Sequence, residues 1–182
     1  VRCPRNSPPC CEKSTNSTSD RRKRPLPPYF LRETQVNNVK ELQTIEETLK
    51  YLQFDNWEQS EPGLARSSEL LSLLGDPQKK LKFVHIAGTN GKGSTAAMLA
   101  SVLQSAGYRT GLYTSPHLLR FHERMRVNGK EIDDKSLIAL TNTVRNVAEQ
   151  MSEMPTGFEI MTAIAFLYFV QEQCDIVSLE VG

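Results

Sequence analysis

A group of glycines, one lysine and two hydroxyl side chains directly follows a short apolar run near the middle of the chain. The run covers residues 83–86, and its residue types are typical of a strand buried on both faces of a parallel sheet. Glycines let the backbone turn sharply and bring bare N–H groups close to an anion, and a helix N-terminus favours negative charge. The pattern predicts a phosphate-binding loop made of Gly88, Thr89, Asn90, Gly91, Lys92, Gly93, Ser94 and Thr95.

The lysine and the hydroxyls of this loop are the side chains that could do chemistry. Lys92 would reach the outer phosphates, and a hydroxyl of Ser94 or Thr95 is placed to meet the accompanying magnesium ion. The spacing is a shorter variant of the usual motif, because Ile86 and Gly93 occupy the places where that motif has a glycine and a hydroxyl residue. A glycine-rich turn without a ligand is the alternative, but it does not explain the lysine and the two hydroxyls.

Two more polar side chains lie at the ends of predicted strands, where ligands of open α/β sheets collect. Glu180 lies near the end of an apolar run at 175–181, and an ionised carboxylate there is costly to bury unless it is paired or metal-bound. Ser115 follows a predicted strand at 110–113 and could supply a second oxygen ligand to magnesium, although a lone serine in a turn is more often structural.

Other candidates carry a weaker signal. Phe158 and Glu159 offer an aromatic face beside a carboxylate at the start of an apolar helix, and spacing alone favours a structural role for them. His85, His117 and His122 have no mutual metal-binding spacing, and His85 is predicted to pack within its strand.

The remaining patterns predict the elements of an α/β domain. Strand, loop, helix and strand in this order form a βαβ unit, which implies a parallel sheet with a right-handed crossover. The helix after the loop is predicted to end at Gly107 and to turn Met98, Leu99, Val102 and Leu103 inward. Further helices are predicted over 36–52, from Pro62 to Leu74, after Asp133 or Asp134 and over 158–172, with a hairpin at 124–132.

Composition excludes several classes of protein. The chain has 182 residues, of which 38% are hydrophobic and 24% charged, as in ordinary globular domains. Residues 1–24 carry seven basic and two acidic side chains, whereas the remainder carries 15 basic and 19 acidic ones. This mildly acidic remainder does not indicate a nucleic-acid-binding surface. The most apolar run, residues 160–170, is shorter than the roughly 20 residues of a membrane span and predicts a buried helix.

The N-terminal segment differs from the rest. Residues 1–28 are rich in Arg, Ser, Pro and Asn and poor in large apolar side chains, so we expect them to be disordered. Such a basic leader resembles an organelle transit peptide and favours a mitochondrial location, with a plastid or cytoplasmic location, a nuclear signal or a solvated tail as alternatives. The cysteines show no zinc spacing or disulfide framework, which fits a reducing compartment.

Four segments in this order resemble folylpolyglutamate synthase and dihydrofolate synthase of the Mur ligase superfamily. They are residues 87–95, 113–124, 157–159 and 179–182, and the similarity runs from about Gly63 to Gly182. The resemblance implies a three-layer, phosphate-loop NTPase-like α/β fold with a mostly parallel sheet, over residues 29–182. In the family, a histidine ligand of magnesium, a carbamylated lysine and a second domain come later in sequence, so we expect this chain to be the first part of the ATPase domain, incomplete at its C-terminus.

The resemblance also implies roles for individual residues. Residues 88–95 would hold ATP, with Lys92 on the transferred phosphate, and Ser115 and Glu180 match the family's magnesium ligands. The segment that borders the pterin is matched by Thr156, Phe158 and Glu159, and the loop that lies over the substrate, with Pro116 and His117, is matched by residues 115–123.

The family's reaction uses ATP to convert a folate or pteroate carboxylate into an acyl phosphate, which the amino group of L-glutamate attacks. Asn90 and Thr114 resemble the dihydrofolate synthase versions of the motifs and favour dihydropteroate as the acceptor. A folylpolyglutamate synthase acting on tetrahydrofolate, a bifunctional enzyme, and a truncated nucleotide-binding fragment without turnover are the alternatives. We expect ATP, Mg²⁺ and small-molecule substrates as partners, and a monomer without nucleic-acid or membrane partners.

Overall fold

The computed structural model describes residues 41–53 and 63–181 and contains one mixed α/β unit. The leader at 1–28 and the beginning of the helix predicted over 36–52 lie outside the described residues. Two short 3₁₀ helices cover Pro77–Lys80 and Phe121–Arg124. The other elements in chain order are α1 (Ile45–Leu52), α2 (Ala65–Leu73), β1 (Phe83–Ile86), α3 (Lys92–Ser105), β2 (Thr110–Tyr113), β3 (Met125–Val127), β4 (Lys130–Glu131), α4 (Asp134–Ala148), α5 (Gly157–Gln171) and β5 (Ile176–Glu180).

The five strands form one sheet in the order β1-β5-β2-β3-β4. β5 pairs in parallel with both β1 and β2, while β3 and β4 add an antiparallel hairpin beside β2. The predicted parallel βαβ unit and hairpin are confirmed, with one addition. The last strand in sequence inserts between the first two, so all three parallel strands end at the same edge of the sheet.

Helices cover both faces of the sheet, which gives the predicted three layers. α3 packs on one face through Ala96 and Ala100, and the Ser178 hydroxyl of β5 donates a hydrogen bond to the Ala96 carbonyl at 3.0 Å. The apolar helix α5 packs on the opposite face with α4 beside it, and α1 and α2 contact these two helices. In the part of the chain described by the structure, no helix is long and apolar enough to cross a membrane.

The first helix is shorter than its apolar periodicity predicts. Residues 41–44 are not helical, and α1 begins at Ile45 because Thr44 and Glu47 form a capping box. The Thr44 hydroxyl accepts from the Glu47 N–H at 3.2 Å, and the Glu47 carboxylate accepts from the N–H of Thr44 and of Gln43. This reciprocal bonding fixes the N-terminus of the helix, so the spacing of Leu42 from the following leucines does not extend it.

Two predictions about packing are wrong. Met98 and Val102 were expected on the inner face of α3, but they are 63% and 64% exposed. Small alanines let the helix approach the sheet closely, so the stripe with Ala96 and Ala100 faces inward instead. His85 was expected to pack within a strand buried on both faces, but it is exposed, because β1 is an edge strand of the described sheet.

Close contact between α5 and the sheet depends on Gly111 in β2. A Cβ added to Gly111 would lie 2.9 Å from a ring carbon of Phe169 and 3.1 Å from a methyl of Val177, both of which are fully buried. We expect Gly111→Ala to lower the free energy of unfolding by about 1–3 kcal/mol, the usual cost of overpacking a core. Urea unfolding of this variant and of Gly63→Ala, where the added Cβ meets no atom within 4 Å, would check the prediction. Equal stability of the two variants would contradict it.

Candidate functional site

The predicted phosphate-binding loop is an exposed turn between β1 and α3. Gly91 is the N-cap of α3 and has a φ of 73°, a left-handed conformation in which an L side chain would be strained. No side chain caps α3, so the N–H groups of its first turn remain available for an anion. The loop therefore has the backbone geometry that anion binding at a helix N-terminus requires.

The side chains of the loop divide into engaged and available groups. The Thr95 hydroxyl donates to the Gly91 carbonyl at 2.9 Å and closes the first turn of α3. The neighbouring Ser94 is exposed, and its hydroxyl makes no hydrogen bond with the described residues. The Lys92 ammonium contacts only the Thr89 carbonyl, at 3.5 Å, among the residues described. Of the two hydroxyls that sequence reasoning left open, Ser94 is the one free to meet a metal ion.

Glu180 lies between this loop and the end of β2, because β5 is the strand between β1 and β2. It is opposite Ile86 in the parallel register and is only 7% exposed. Its carboxylate accepts from the Ser115 N–H at 3.2 Å, and it is 3.3 Å from the place that a Cβ on Gly93 would occupy. This contact explains why glycine follows the lysine, because a hydroxyl residue there would press against the Glu180 carboxylate.

These groups fit a divalent cation that accompanies a polyphosphate. A buried carboxylate is costly unless it is paired or metal-bound, and within the described residues Glu180 has one hydrogen-bond donor and no basic partner. The hydroxyls of Ser94 and Ser115 make no hydrogen bond there either. Few protein oxygens combined with phosphate oxygens and water are what Mg²⁺ prefers. Residues 41–53 and 63–181 contain no group of three His, Cys, Asp or Glu side chains that could hold a metal ion alone.

The loop after β2 is held by Glu123, which sequence reasoning did not single out. Its carboxylate accepts from the N–H groups of Leu118, Leu119 and Arg120 at 2.9, 3.2 and 3.0 Å. The hydrogen bond from Leu118 is the main reason why the pKa of Glu123 is lowered. The signal in the sequence is an acidic residue three positions after Arg120, the N-cap of a short 3₁₀ helix. With this anchor, the loop presents Leu118 and Leu119 at 89% and 88% exposure.

We expect Glu123→Gln to loosen this loop, because an amide has one acceptor oxygen where the carboxylate has two. Hydrogen exchange at the backbone of residues 118–120 should accelerate about tenfold or more, since one acceptor oxygen is lost and none of the three bonds remains charge-assisted. In the unsubstituted protein the pKa of Glu123 is lower in the folded state than its ordinary value. The stabilisation of the loop by this carboxylate is therefore fully present above the ordinary pKa and is lost as the pH falls through the folded-state pKa. The protection of these amides, taken relative to the intrinsic exchange rate at each pH, should therefore fall at acidic pH.

The matched control for this prediction is Glu149→Gln, which removes a carboxylate that pairs with Arg145 at the C-terminal end of α4. It should leave exchange at 118–120 unchanged. Equal exchange rates for Glu123→Gln and the unsubstituted protein at neutral pH would show that the carboxylate does not hold the loop.

The N-terminus of α5 is at the same edge of the sheet. The hydroxyl of Tyr113, the last residue of β2, lies 3.4 Å from the Thr162 hydroxyl in the second turn of α5. The N-cap Thr156 and Glu159 form a capping box, in which Glu159 accepts from the Thr156 N–H at 2.7 Å. Phe158 is 48% exposed. Of the three residues predicted to border a substrate here, only Phe158 presents an exposed side chain.

Glu159 is held by α2 as well as by its own helix. Ser67 donates to its carboxylate at 2.9 Å, and the buried Arg66 donates at 3.3 Å while also pairing with Glu153. Burial alone would raise the pKa of Glu159, but hydrogen bonds from the Thr156 N–H, Ser67 and Arg66 outweigh burial and lower it. No motif in the sequence signals this link, because Arg66 and Ser67 are more than 85 residues away from their partners.

The structure thus brings the loop at 88–95, Ser115 and Glu180 into direct proximity. The loop with Pro116 and His117 and the N-terminus of α5 are near them at the carboxyl ends of the parallel strands. A strand, a glycine-rich loop and a helix, completed by a carboxylate on the neighbouring strand, place the chain in the class of three-layer α/β domains with a phosphate-loop type of turn.

Comparison with known proteins specifies the relatives. No protein-family model matches the sequence. The dihydrofolate synthase/folylpolyglutamate synthase of Bacillus subtilis is 48% identical over 126 residues, which are 66% of this chain and 29% of that protein. The chain thus spans about a third or less of the curated relatives that it matches first.

Solved structures agree with this result. The crystal structure of folylpolyglutamate synthase from Thermotoga maritima matches with a TM-score of 0.71 at 44% identity, over 76% of this chain and 33% of that one. The bifunctional folylpolyglutamate synthase/dihydrofolate synthase of Yersinia pestis, complexed with AMPPNP and an Mn ion, has a TM-score of 0.71 at 36% identity, over 77% and 34%. The chain is a homologue of the N-terminal part of the ATPase domain of dihydrofolate synthases and folylpolyglutamate synthases.

Proposed function

We propose that the protein is an ATP-dependent amide ligase that joins L-glutamate to dihydropteroate through an acyl-phosphate intermediate. The observation that carries this proposal is the position of the buried Glu180 between the uncapped N-terminus of α3 and Ser115. The names of the homologues support the reaction class. The AMPPNP and Mn in the Yersinia pestis relative support a nucleotide and a divalent cation, for which we propose ATP and Mg²⁺.

In this proposal each residue has a defined task. The N–H groups of the first turn of α3, with the loop at 88–95, bind and orient the β- and γ-phosphates. Lys92 lies against the transferred phosphate and balances the negative charge that spreads over its oxygens. Ser94, Ser115 and Glu180 hold the magnesium ion, which when bound neutralises phosphate charge during transfer.

The acid substrate is held at the same edge of the sheet. Phe158 offers an aromatic face for the pterin, and Thr156 and Glu159 fix the helix terminus that presents it. The loop with Pro116 and His117, anchored by Glu123, covers the acceptor and limits the access of water, which would otherwise hydrolyse the acyl phosphate. The amino group of glutamate then attacks the acyl carbon, and phosphate leaves.

Glutamate incorporation by the full-length protein tests the proposal. Dihydropteroate and tetrahydrofolate are supplied separately with ATP, Mg²⁺ and labelled glutamate. Incorporation into dihydropteroate supports the preferred function, and incorporation into tetrahydrofolate alone supports the folylpolyglutamate synthase alternative. ATP binding without ADP release in the presence of either acceptor would overturn the proposed ligase function. It would support the non-enzymatic alternative, a nucleotide-binding protein without turnover.

A further inference from the structure

Arg124 differs from the other arginines that the structure describes. Five of these six guanidinium groups pair with a carboxylate, namely those of Arg66, Arg109, Arg120, Arg126 and Arg145. Within residues 41–53 and 63–181, no carboxylate pairs with Arg124. The adjacent Glu123 does not compensate, because its carboxylate points to the backbone N–H groups of residues 118–120.

The contacts of Arg124 occupy one edge and one face of its guanidinium group. Its Nε donates to Nδ1 of His117 at 2.9 Å, and its central carbon lies 5.5 Å from the centre of the Phe121 ring. Burial lowers the pKa of this half-buried guanidinium. A desolvated cation gains most from an anionic partner, and the two terminal nitrogens form the fork that matches a carboxylate.

The bond to His117 also defines the role of the ring nitrogen that faces Arg124. An arginine Nε carries a hydrogen and can only donate, so Nδ1 of His117 must be the acceptor. The terminal nitrogens of Arg124 make no hydrogen bond with the described residues, and both are donors that suit an anion.

The pair is located where the proposed acceptor would bind. The Arg124 carbonyl accepts from the N–H of Thr114 at 3.1 Å, directly beside Ser115. Met125, the residue after Arg124, is opposite Tyr113 in the sheet, and the Tyr113 hydroxyl lies 3.4 Å from that of Thr162, one helical turn after Phe158 in α5. Arg124 is thus beside the strand end that leads to Ser115 and near the end of α5 that exposes Phe158.

We propose that Arg124, with His117 held beside it, binds the carboxylate of the pteroate-type substrate and selects acids over their neutral analogues. This inference rests on the proposed ligase function. It adds a specificity-determining residue to that site. The carboxylate that Arg124 binds is assigned to the pteroate-type acid. The α-carboxylate of glutamate is the other source that the experiment must distinguish.

Calorimetric titration of the full-length protein tests this inference, with pteroate and pteroate carboxamide as probes. We expect the unsubstituted protein to bind pteroate about tenfold or more tightly than the amide, because charge-assisted bonds are lost with the amide. Arg124→Met should bind pteroate more weakly by that factor, and its affinity for the amide should not change. Arg124→Lys keeps the charge without the fork, so it should recover only part of the discrimination.

The matched control is Lys130→Met, which removes an exposed positive charge from the nearby hairpin and should bind both probes as the unsubstituted protein does. Thermal unfolding and ATP titration of each variant verify the fold. If Arg124→Met unfolds, the ratio of pteroate affinity to carboxamide affinity is compared between Arg124→Lys and Lys130→Met instead. A lower ratio in Arg124→Lys supports the inference, and equal ratios contradict it.

Three results would overturn the inference. One is discrimination between acid and amide that survives in Arg124→Met, and another is an equal loss of affinity for both probes, which a purely structural residue would give. The third is an increased KM for glutamate with unchanged pteroate affinity, which would assign the fork to the amino acid. Absence of pteroate binding by the unsubstituted protein would instead remove the proposed function, and this inference with it.

Discussion

Lys92→Ala is expected to reduce the kcat of the ligase activity proposed for the full-length protein by about 10²–10³ or more, the range seen when a single charge-stabilising group is removed from a transition state. The Lys92 ammonium is exposed at the first position of α3, and its contact in the described part of the chain is a 3.5 Å approach to the Thr89 carbonyl. The side chain therefore adds little to stability, and the unfolding temperature should hardly change. ADP release with dihydropteroate, glutamate and saturating ATP measures the effect.

The control for Lys92→Ala is Lys92→Arg, which keeps a positive charge at the end of a longer and wider side chain. We expect it to bind nucleotide but to recover little turnover, because the fork of arginine does not reproduce the point charge of the ammonium. Turnover of Lys92→Ala within tenfold of the unsubstituted enzyme would exclude the proposed role of the lysine.

Glu180→Gln is expected to weaken Mn²⁺ binding in the presence of an ATP analogue by at least about tenfold, since even outer partners of metal ligands typically contribute 10–100-fold to affinity. Glutamine has the same shape, and its carbonyl oxygen can still accept from the Ser115 N–H, so the strand end should stay in place. Electron paramagnetic resonance of free Mn²⁺ measures the affinity without requiring turnover.

The comparison variant is Asp175→Asn, which neutralises an exposed carboxyl immediately before the other end of β5, where it accepts from the Arg109 N–H. It should leave Mn²⁺ affinity unchanged. If Glu180→Gln binds Mn²⁺ as tightly as Asp175→Asn does, Glu180 is not a ligand and its burial needs another explanation.

The glycine-rich loop, the helices and the strands could be predicted because their signals are local. The step from apolar β-branched residues to glycines fixed β1 and the loop, and the capping acid Asp133 fixed the start of α4, where its side chain accepts from the Ser136 N–H at 2.9 Å. The position of Glu180 at the buried end of a parallel strand was also predicted, whereas its role as a metal ligand stays a prediction.

Contacts between distant parts of the chain could not be predicted. Periodicity does not distinguish a stripe through Met98 from one through Ala96, because both are apolar, and only the space beside the sheet decides between them. Likewise, nothing near Arg66 indicates that it will meet Glu159, and nothing near Arg124 indicates that it will lack an acid. Such pairings depend on the strand order, which local patterns do not contain.

The position of β5 has a consequence for the synthesis of the protein. β1 pairs with a strand that begins 90 residues later, Phe83 with Val177, and β2 reaches β1 only through that strand. At a translation rate of roughly 5–20 residues per second, the nascent β1 and β2 wait several seconds for their common neighbour. Long-range parallel pairing is slow and exposes unpaired strand edges. The insertion that gathers the three strand ends into one site therefore leaves β1 without a strand partner, and one edge of β2 unpaired, until β5 has left the ribosome.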